Sequence, residues 1–472
     1  MRTSYVRAGT RWIVALAAAA TLSVAITSPS WAADPAPTPQ ISDHDRIKQL
    51  EETVNSLKKD TRQVEVNLEN LKPLAGWSAA DGFTLTSPDG KLYKLRLGGY
   101  TQLDGRFFVN DRSNALTNQF LFRRARLDFS GTVFKNFDFR ILPDFAGSQV
   151  ILFDAYVDAN FIPEAKVRVG KFKPPVGLER LQGAPYLEFI ERAQPTNLVP
   201  NRDFGAQLFG DLLNGALSYQ LAIINGAPDN SNPAVGDNND DKDFAGRIFA
   251  QPFKDTSINP LKGFGLGVAG TFGHQRGTAS TPDLPAFKTF GQATFFQYSA
   301  ANTTATPPKG PTVAYGQRDR WTPQFYYYVG PFGLLGEYVN STQTVKRDNT
   351  AGRISNDAWQ VAASYVLTGE AASYRGVLPA QPFDPFTGKW GAWEVAVRYG
   401  QLEVDPDAFS GGFADPKASA RRDKEWVVGL NWYLNRNIRW VLDYAHSDFS
   451  GGNGTADRPT ESALETRVQL LL

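Results

Sequence analysis

The stretch from Asn118 to Gly131 reads NQFLFRRARLDFSG and sets Arg123, Arg124 and Arg126 in a run rich in phenylalanine and leucine. Guanidinium groups this close repel one another unless acids or an anion lie between them. Each also presents a planar fork of donors that fits phosphate or carboxylate oxygens two at a time. The chemistry on offer is anion recognition. A dry core could not host it, because an unpaired guanidinium costs several kcal/mol to desolvate. Arg140, and Lys171 and Lys173 in GKFKPP, are further basic candidates. Hydrolytic, thiol or metal chemistry has little to stand on. The histidines are His44, His274 and His446, and there is no cysteine. His446 and Ser447 are neighbours, so on a strand they point to opposite faces. No catalytic residue, cofactor or metal is expected.

The elements that carry the arginines show period-two alternation from Leu92 to Leu472. Leu95, Leu97, Leu103, Phe107 and Val109 take one face; Arg96, Gln102, Asp104 and Arg106 take the other. Ile151, Phe153, Ala155 and Val157 alternate with Asp154, Tyr156, Asp158 and Asn160, and Trp393, Val395, Val397 and Tyr399 with Glu394 and Arg398. Tight turns at Lys135-Asn136, Asn214-Gly215, Gly330-Pro331 and Asn435 to Asn437 separate long polar loops such as Ala227 to Asp241 and Val404 to Arg421. Short turns at one end and long loops at the other are the layout of an outer-membrane β-barrel. Trp432 and Trp440 flank one tight turn with outward parity, as an aromatic girdle requires. In such a barrel Leu127 and Phe129 face lipid while Arg124, Arg126 and Asp128 face water. Arg123 has the lipid parity, so it lies at the rim or follows a bulge that turns it inward.

The remaining segments suit export. Arg2, Arg7 and Arg11 precede an apolar stretch, and Ser30-Trp31-Ala32 places small residues for cleavage after Ala32, giving a signal peptide over 1–32. Its removal takes three arginines and no acid, so the charge falls from +1 to −2, and a near-neutral chain does not suggest nucleic acid. A mean hydropathy of −0.33 suits a barrel with a wet interior. Residues 33–46 read as a Pro-rich spacer. Residues 47–72 read as a coiled coil, with Ile47, Leu50, Val54, Leu57, Thr61, Val64, Leu68 and Leu71 as its seam.

FRRARLDFSG, VGKFKPPVGLE from Val169, NLVPNRDFGAQLFGDL from Asn197 and WTPQFYYYVGPFGLLGEYV from Trp321 resemble the phosphate-selective O/P porins of Gram-negative outer membranes. GEAASYRGVLPAQPFDP from Gly369 and WGAWEVAVRYGQLEV add to the match. The resemblance spans residues 92–472. It implies an all-β fold, a 16-stranded antiparallel barrel, assembled as a homotrimer among outer-membrane lipids and lipopolysaccharide. It also implies a loop after the fifth strand that narrows each pore, here 174–203, and a passive channel favouring anions such as phosphate or polyphosphate. To reach sixteen strands, Ala286 to Asp319 is taken as an external loop with its own hairpin. The anion-binding residues are then Arg123, Arg124, Arg126, Arg140, Lys173 and Arg180, with Asp128 and Asp154 holding the forks. Arg398 is expected to lie far from them. Loop charges are mixed: Arg180, Arg192 and Arg202 stand beside Glu179, Glu188, Glu191 and Asp203. On the first five strands eight inward bases face six acids, a modest excess. The chain ends in Leu472 rather than in the aromatic common among outer-membrane proteins. The coiled coil is expected in the periplasm, three-stranded under a trimeric barrel. Two other readings share these features: a porin of the same fold with general or different selectivity, and a barrel serving mainly as an anchor to the cell wall through the coiled coil.

Overall fold

The computed structural model describes residues 42–70, 74–109, 116–234, 236–237 and 239–472, with side chains omitted for 66–70. The signal peptide, the spacer as far as residue 41, the Leu68 side chain and Leu71 lie outside the described residues. The chain divides into two units, 1–70 and 71–472.

In the first unit, helix α1 spans Asp43–Asn70. It starts before Ile47 because Ser42 caps it. The Ser42 hydroxyl accepts from the Asp45 amide at 3.2 Å and donates to the Asp45 carboxylate at 2.7 Å. Along the described part of the heptad seam, Ile47, Leu50, Val54, Leu57 and Val64 are 46–65% exposed.

In the second unit sixteen antiparallel strands close on themselves. They are β1 Tyr93–Val109, β2 Gln119–Val133, β3 Phe137–Asp144, β4 Ile151–Ile162, β5 Ala165–Phe172, β6 Asp203–Leu212, β7 Leu217–Ile224 and β8 Asp243–Ala250. After these come β9 Phe264–Arg276, β10 Val313–Val329, β11 Phe332–Arg347, β12 Thr350–Val366, β13 Ala392–Glu403, β14 Ala420–Tyr433, β15 Ile438–Asn453 and β16 Glu461–Leu471. Pairing of β16 with β1, from Ser462 opposite Val109 to Leu471 opposite Tyr100, shuts the ring and removes both edges. A hairpin of Leu74–Ser78 with Gly82–Thr86 adds to the start of β1. Alternation decides which side each residue takes. Leu97, Leu103, Leu127, Val157, Val397 and Val468 are exposed on the outside, whereas Gln102, Asp104, Arg124, Arg398, Glu465 and Arg467 are buried within. Trp432 and Trp440 face each other across β14 and β15 beside their turn.

Two bulges break this alternation. Gln102 pairs with Arg124 and the next residue, Leu103, with Phe122, so Arg123 is the extra residue on β2. Arg123 and Arg124 therefore both turn inward, which settles the parity conflict in favour of the bulge. On β4 the register jumps from Leu142 opposite Asp154 to Pro143 opposite Leu152. Phe153 is the extra residue there. It faces the lumen, against the outward position that alternation assigned it.

The loops also depart from expectation. Ala286–Lys288 does pair with Thr294–Gln297, and the barrel resumes at Val313. This hairpin is not external. Phe287, Phe295 and Phe296 are fully buried against Val176, Leu198 and Val199 of the loop after β5 and the inner face at Val339, Ile354 and Leu402. Nor is the asymmetry of connections complete. Arg347 and Thr350, at the long-loop end, are joined by a tight turn, while 367–391, at the short-turn end, is long.

Because Gln102–Arg124 and Leu103–Phe122 are already in register on either side of Arg123, deleting Arg123 should leave the barrel intact. Heat-modifiable mobility in detergent gels and a β-type circular dichroism spectrum would show this. A deletion variant that fails to fold would mean the bulge is needed to bend β2.

Candidate functional site

The loop from Lys173 to Arg202, between β5 and β6, runs through the lumen and binds one wall along its length. Wall arginines donate to its carbonyls: Arg398 to Glu191 at 3.0 Å, Arg467 to Ile190 at 2.8 Å, and Arg439 to Leu187 at 2.6 Å and Glu188 at 3.0 Å. Wall carboxylates accept from its amides. Asp443 takes Ile190 N–H at 2.6 Å, and Glu337 takes Leu178 at 2.6 Å and Glu179 at 3.2 Å. The Gln194 amide meets Asp423 at 2.5 Å and Glu425 at 3.2 Å. An irregular segment inside a barrel has no ladder to join, so each of its buried polar groups needs such a partner. The segment 367–391 supports the loop from the other end, with the Tyr374 hydroxyl donating to the Leu178 carbonyl at 2.6 Å.

Since the loop clings to β11–β16, the open lumen lies on its other side. That cavity, of about 680 Å³, is bounded mainly by β1–β7 and the free face of the loop. Arg123, Arg124, Arg126, Arg140, Lys173 and Arg180 all line it. Eleven basic side chains line it against five acidic ones. This excess is larger than the strand faces alone suggested, because the loop sorts its charges. Arg180, Arg192 and Arg202 point into the cavity. Glu179 turns towards Gln360 and Arg398, and Glu188 towards Ser364.

The six residues sit in different environments. Arg126 is tied to Asp144 at 2.7 Å and to the Tyr100 hydroxyl at 2.8 Å, and its guanidinium lies 3.6 Å from the Phe153 ring centre. Arg140 grips Asp128 with two bonds of 3.1 and 2.8 Å and reaches Asp154 at 3.2 Å. Asp154 also accepts from Arg202, so Asp128 and Asp154 hold the forks of Arg140 and Arg202 and not those of Arg124, Arg126 or Arg180. Arg123 chelates Glu191. Burial opposes the charge on Glu191, but Arg123 and Arg124 outweigh it and keep the carboxyl well below its usual range. Arg124 donates to Gln102 at 2.7 Å and comes no nearer Glu191 than 3.8 Å. Lys173 donates to the carbonyls of Leu181 and Gln182. Arg180 donates to the Thr196 carbonyl and to Asn230, and its buried Nε has no partner among the described residues. Burial, with the like charges of Arg192 and Arg202, pushes the Arg180 guanidinium down from its ordinary value.

Arg96, Arg168, Arg192, Arg202 and Lys288 were not among the predicted site residues, yet they line the same cavity. Strand parity signals Arg96 and Arg168. Nothing local signals Lys288, which the inward hairpin delivers. Arg398, expected to be remote, holds the back of the loop instead of lining the cavity. One hydrolase-like grouping also emerges across β15 and β16: His446 lies 2.8 Å from the Ser462 hydroxyl and 3.3 Å from Asp448. None of the three lines the cavity, and Ser462 is buried. No cluster suited to a metal occurs among the described residues.

Residues 95–471 match the family model described as phosphate-selective porin O and P. Porin O of Pseudomonas aeruginosa is 25% identical over 403 residues, covering 78% of this chain and 86% of that protein. Among solved structures, the outer-membrane channel DcaP of Acinetobacter baumannii has a similar fold, with a TM-score of 0.50 at 11% identity over 81% of this chain and 98% of that one. The trimer form of OmpT from Vibrio cholerae aligns with a TM-score of 0.49 at 11% identity over 81% of this chain and 100% of that one. A barrel with an apolar exterior, a charged lumen and a match along its whole length makes this chain a member of the phosphate-selective porin O and P family.

Proposed function

We propose that this outer-membrane porin favours small anions of the phosphate or polyphosphate type, drawn through the cavity between the loop and β1–β7. The observation that carries this reading is the set of cations the protein leaves uncompensated. Arg126, Arg140, Arg168 and Arg202 spend their charge on aspartates. Lys173, Arg180 and Arg192 form no ion pair among the described residues, and Arg124 has only the long contact with Glu191. They form a second tier that an oxyanion can complete. Several shallow sites in sequence suit conduction better than one deep well. Paired arginines nearby add a field felt within about 8 Å at physiological salt.

The functional unit we propose is a homotrimer, the assembly that the family resemblance implies. The seam of α1 is offered as its second point of association, a parallel three-stranded coil in the periplasm. A row of uncovered Ile, Leu and Val at heptad spacing has no use in a single chain. Tethering to one barrel assembly gives the helices a high local concentration.

Single-channel recording in chloride, with phosphate titrated in, tests the channel reading. Arg124→Glu should shift the reversal potential towards cations and weaken phosphate block by about tenfold. That is the order expected for losing one charge-assisted hydrogen bond of about 1.5 kcal/mol. Unchanged block would assign selectivity to other residues and favour a general porin. Arg398→Ala should keep anion preference but make the open level noisy, because it frees the Glu191 carbonyl and so loosens the loop. A quiet Arg398→Ala channel would show that the remaining clamps suffice. Deleting residues 34–72 should leave conductance unchanged while lowering the temperature at which the trimer dissociates in detergent gels. An equally heat-resistant trimer would remove the coil from the assembly.

A further inference from the structure

A second aromatic feature lies outside the lumen. Within 367–391 the chain makes a closed turn at Asp384–Lys389. Asp384 N–H donates to the Lys389 carbonyl at 2.8 Å, and Lys389 N–H returns the bond at 3.0 Å. The Asp384 carboxylate accepts from the Phe386 amide at 3.0 Å and the Thr387 hydroxyl at 2.6 Å. At the tip Phe386 is 98% exposed, and Trp390 beside it 61%. The turn is fastened to the barrel's outer face at the short-turn rim. Phe383 N–H donates to the Leu434 carbonyl at 2.6 Å, and the Phe383 ring meets Trp432 edge-on at 5.0 Å. Trp432 Nε1 donates to the Trp390 carbonyl at 2.7 Å and its ring stacks on Trp393 at 4.9 Å. Trp393 and Trp432 have outward parity, on the same surface that exposes Val395, Val397, Trp426 and Val428.

We infer that this turn is a lipid anchor, with Phe386 and Trp390 entering the headgroup–acyl boundary of the bilayer at the short-turn rim. The inference rests on the outer-membrane reading and adds to it a segment that is not part of any strand. A large apolar side chain held in open water by a tightly bonded turn gains by being covered, and little ordering remains to oppose it. Continuity decides what covers it. The turn extends the outward apolar face beyond the tryptophans, so the same medium that bathes Val428 reaches Phe386. Asp384 and Lys389 flank the tip and keep it at the interface rather than in the hydrocarbon, the arrangement typical of aromatic belts.

The chain has no cysteine, so single-cysteine labelling is clean. Full-length protein carrying Phe386→Cys would be labelled with an environment-sensitive fluorophore and placed in phosphatidylethanolamine–phosphatidylglycerol vesicles. Val428→Cys on the outer face and Thr303→Cys, at an exposed position between the buried 286–297 hairpin and β10, serve as references. The expected result is a label at 386 quenched at least twofold more by nitroxide-bearing lipid than the label at 303, and shielded from iodide. Quenching by iodide equal to that at 303 would overturn the anchor. So would shielding from both quenchers, which would place the turn against another protein copy. If Val428→Cys itself failed to respond to nitroxide lipid, the membrane reading would fall rather than the anchor alone.

Discussion

A charge inside this barrel is surrounded by a wall whose far side is hydrocarbon, so its energy depends on the partner it finds within the lumen. That constraint shapes everything else. The loop after β5 needs polar partners for its backbone, and the β11–β16 wall needs partners for its arginines and acids. Each satisfies the other: Arg398, Arg439 and Arg467 bond to loop carbonyls, while Glu337 and Asp443 bond to loop amides. One side of the barrel is thereby neutralised and filled.

The opposite side inherits the imbalance. With Glu179 and Glu188 turned to the filled wall, the loop shows mostly bases to the cavity, where they join the arginines of β2–β5. Aspartates on β2, β3 and β4 answer some of these and leave others. A mixed sequence thus becomes a one-sided field, by orientation rather than by composition. The two bulges serve the same end. Arg123 fixes Glu191, the loop acid that lines the cavity, and Phe153 lays an aromatic face against the Arg126 guanidinium, which Asp144 holds from another side.

The apolar exterior and the fastened rim turn belong to a separate problem, that of holding the barrel at a fixed depth. Trp393, Trp432 and Phe383 make a rigid aromatic block beside a turn whose ends are bonded to each other. The seam of α1 is a third exposed apolar surface.

The strand faces were legible in the sequence because period-two alternation acts residue by residue, whereas the family and the place of the loop were legible only through the resemblance of long motifs such as VGKFKPPVGLE. Leu127 faces out and Asp128 in, whatever the rest of the chain does. The helix was legible for the same reason, although its start at Asp43 depends on the Ser42 cap rather than on the seam. What only the tertiary structure decided are features set by contacts distant in sequence. The bulges at Arg123 and Phe153 are defined by the partner strand, so neither strand alone reveals them. The inward fold of the 286–297 hairpin depends on an apolar surface that Val176, Leu198 and Val339 form only when assembled. The direction of Glu179, Glu188 and Arg180 along one loop depends on which wall holds its backbone. Arg398 and Arg124 look alike on their strands, both inward and buried. Only the position of the loop makes one a strut and leaves the other lining the cavity with no described acid nearer than Glu191 at 3.8 Å.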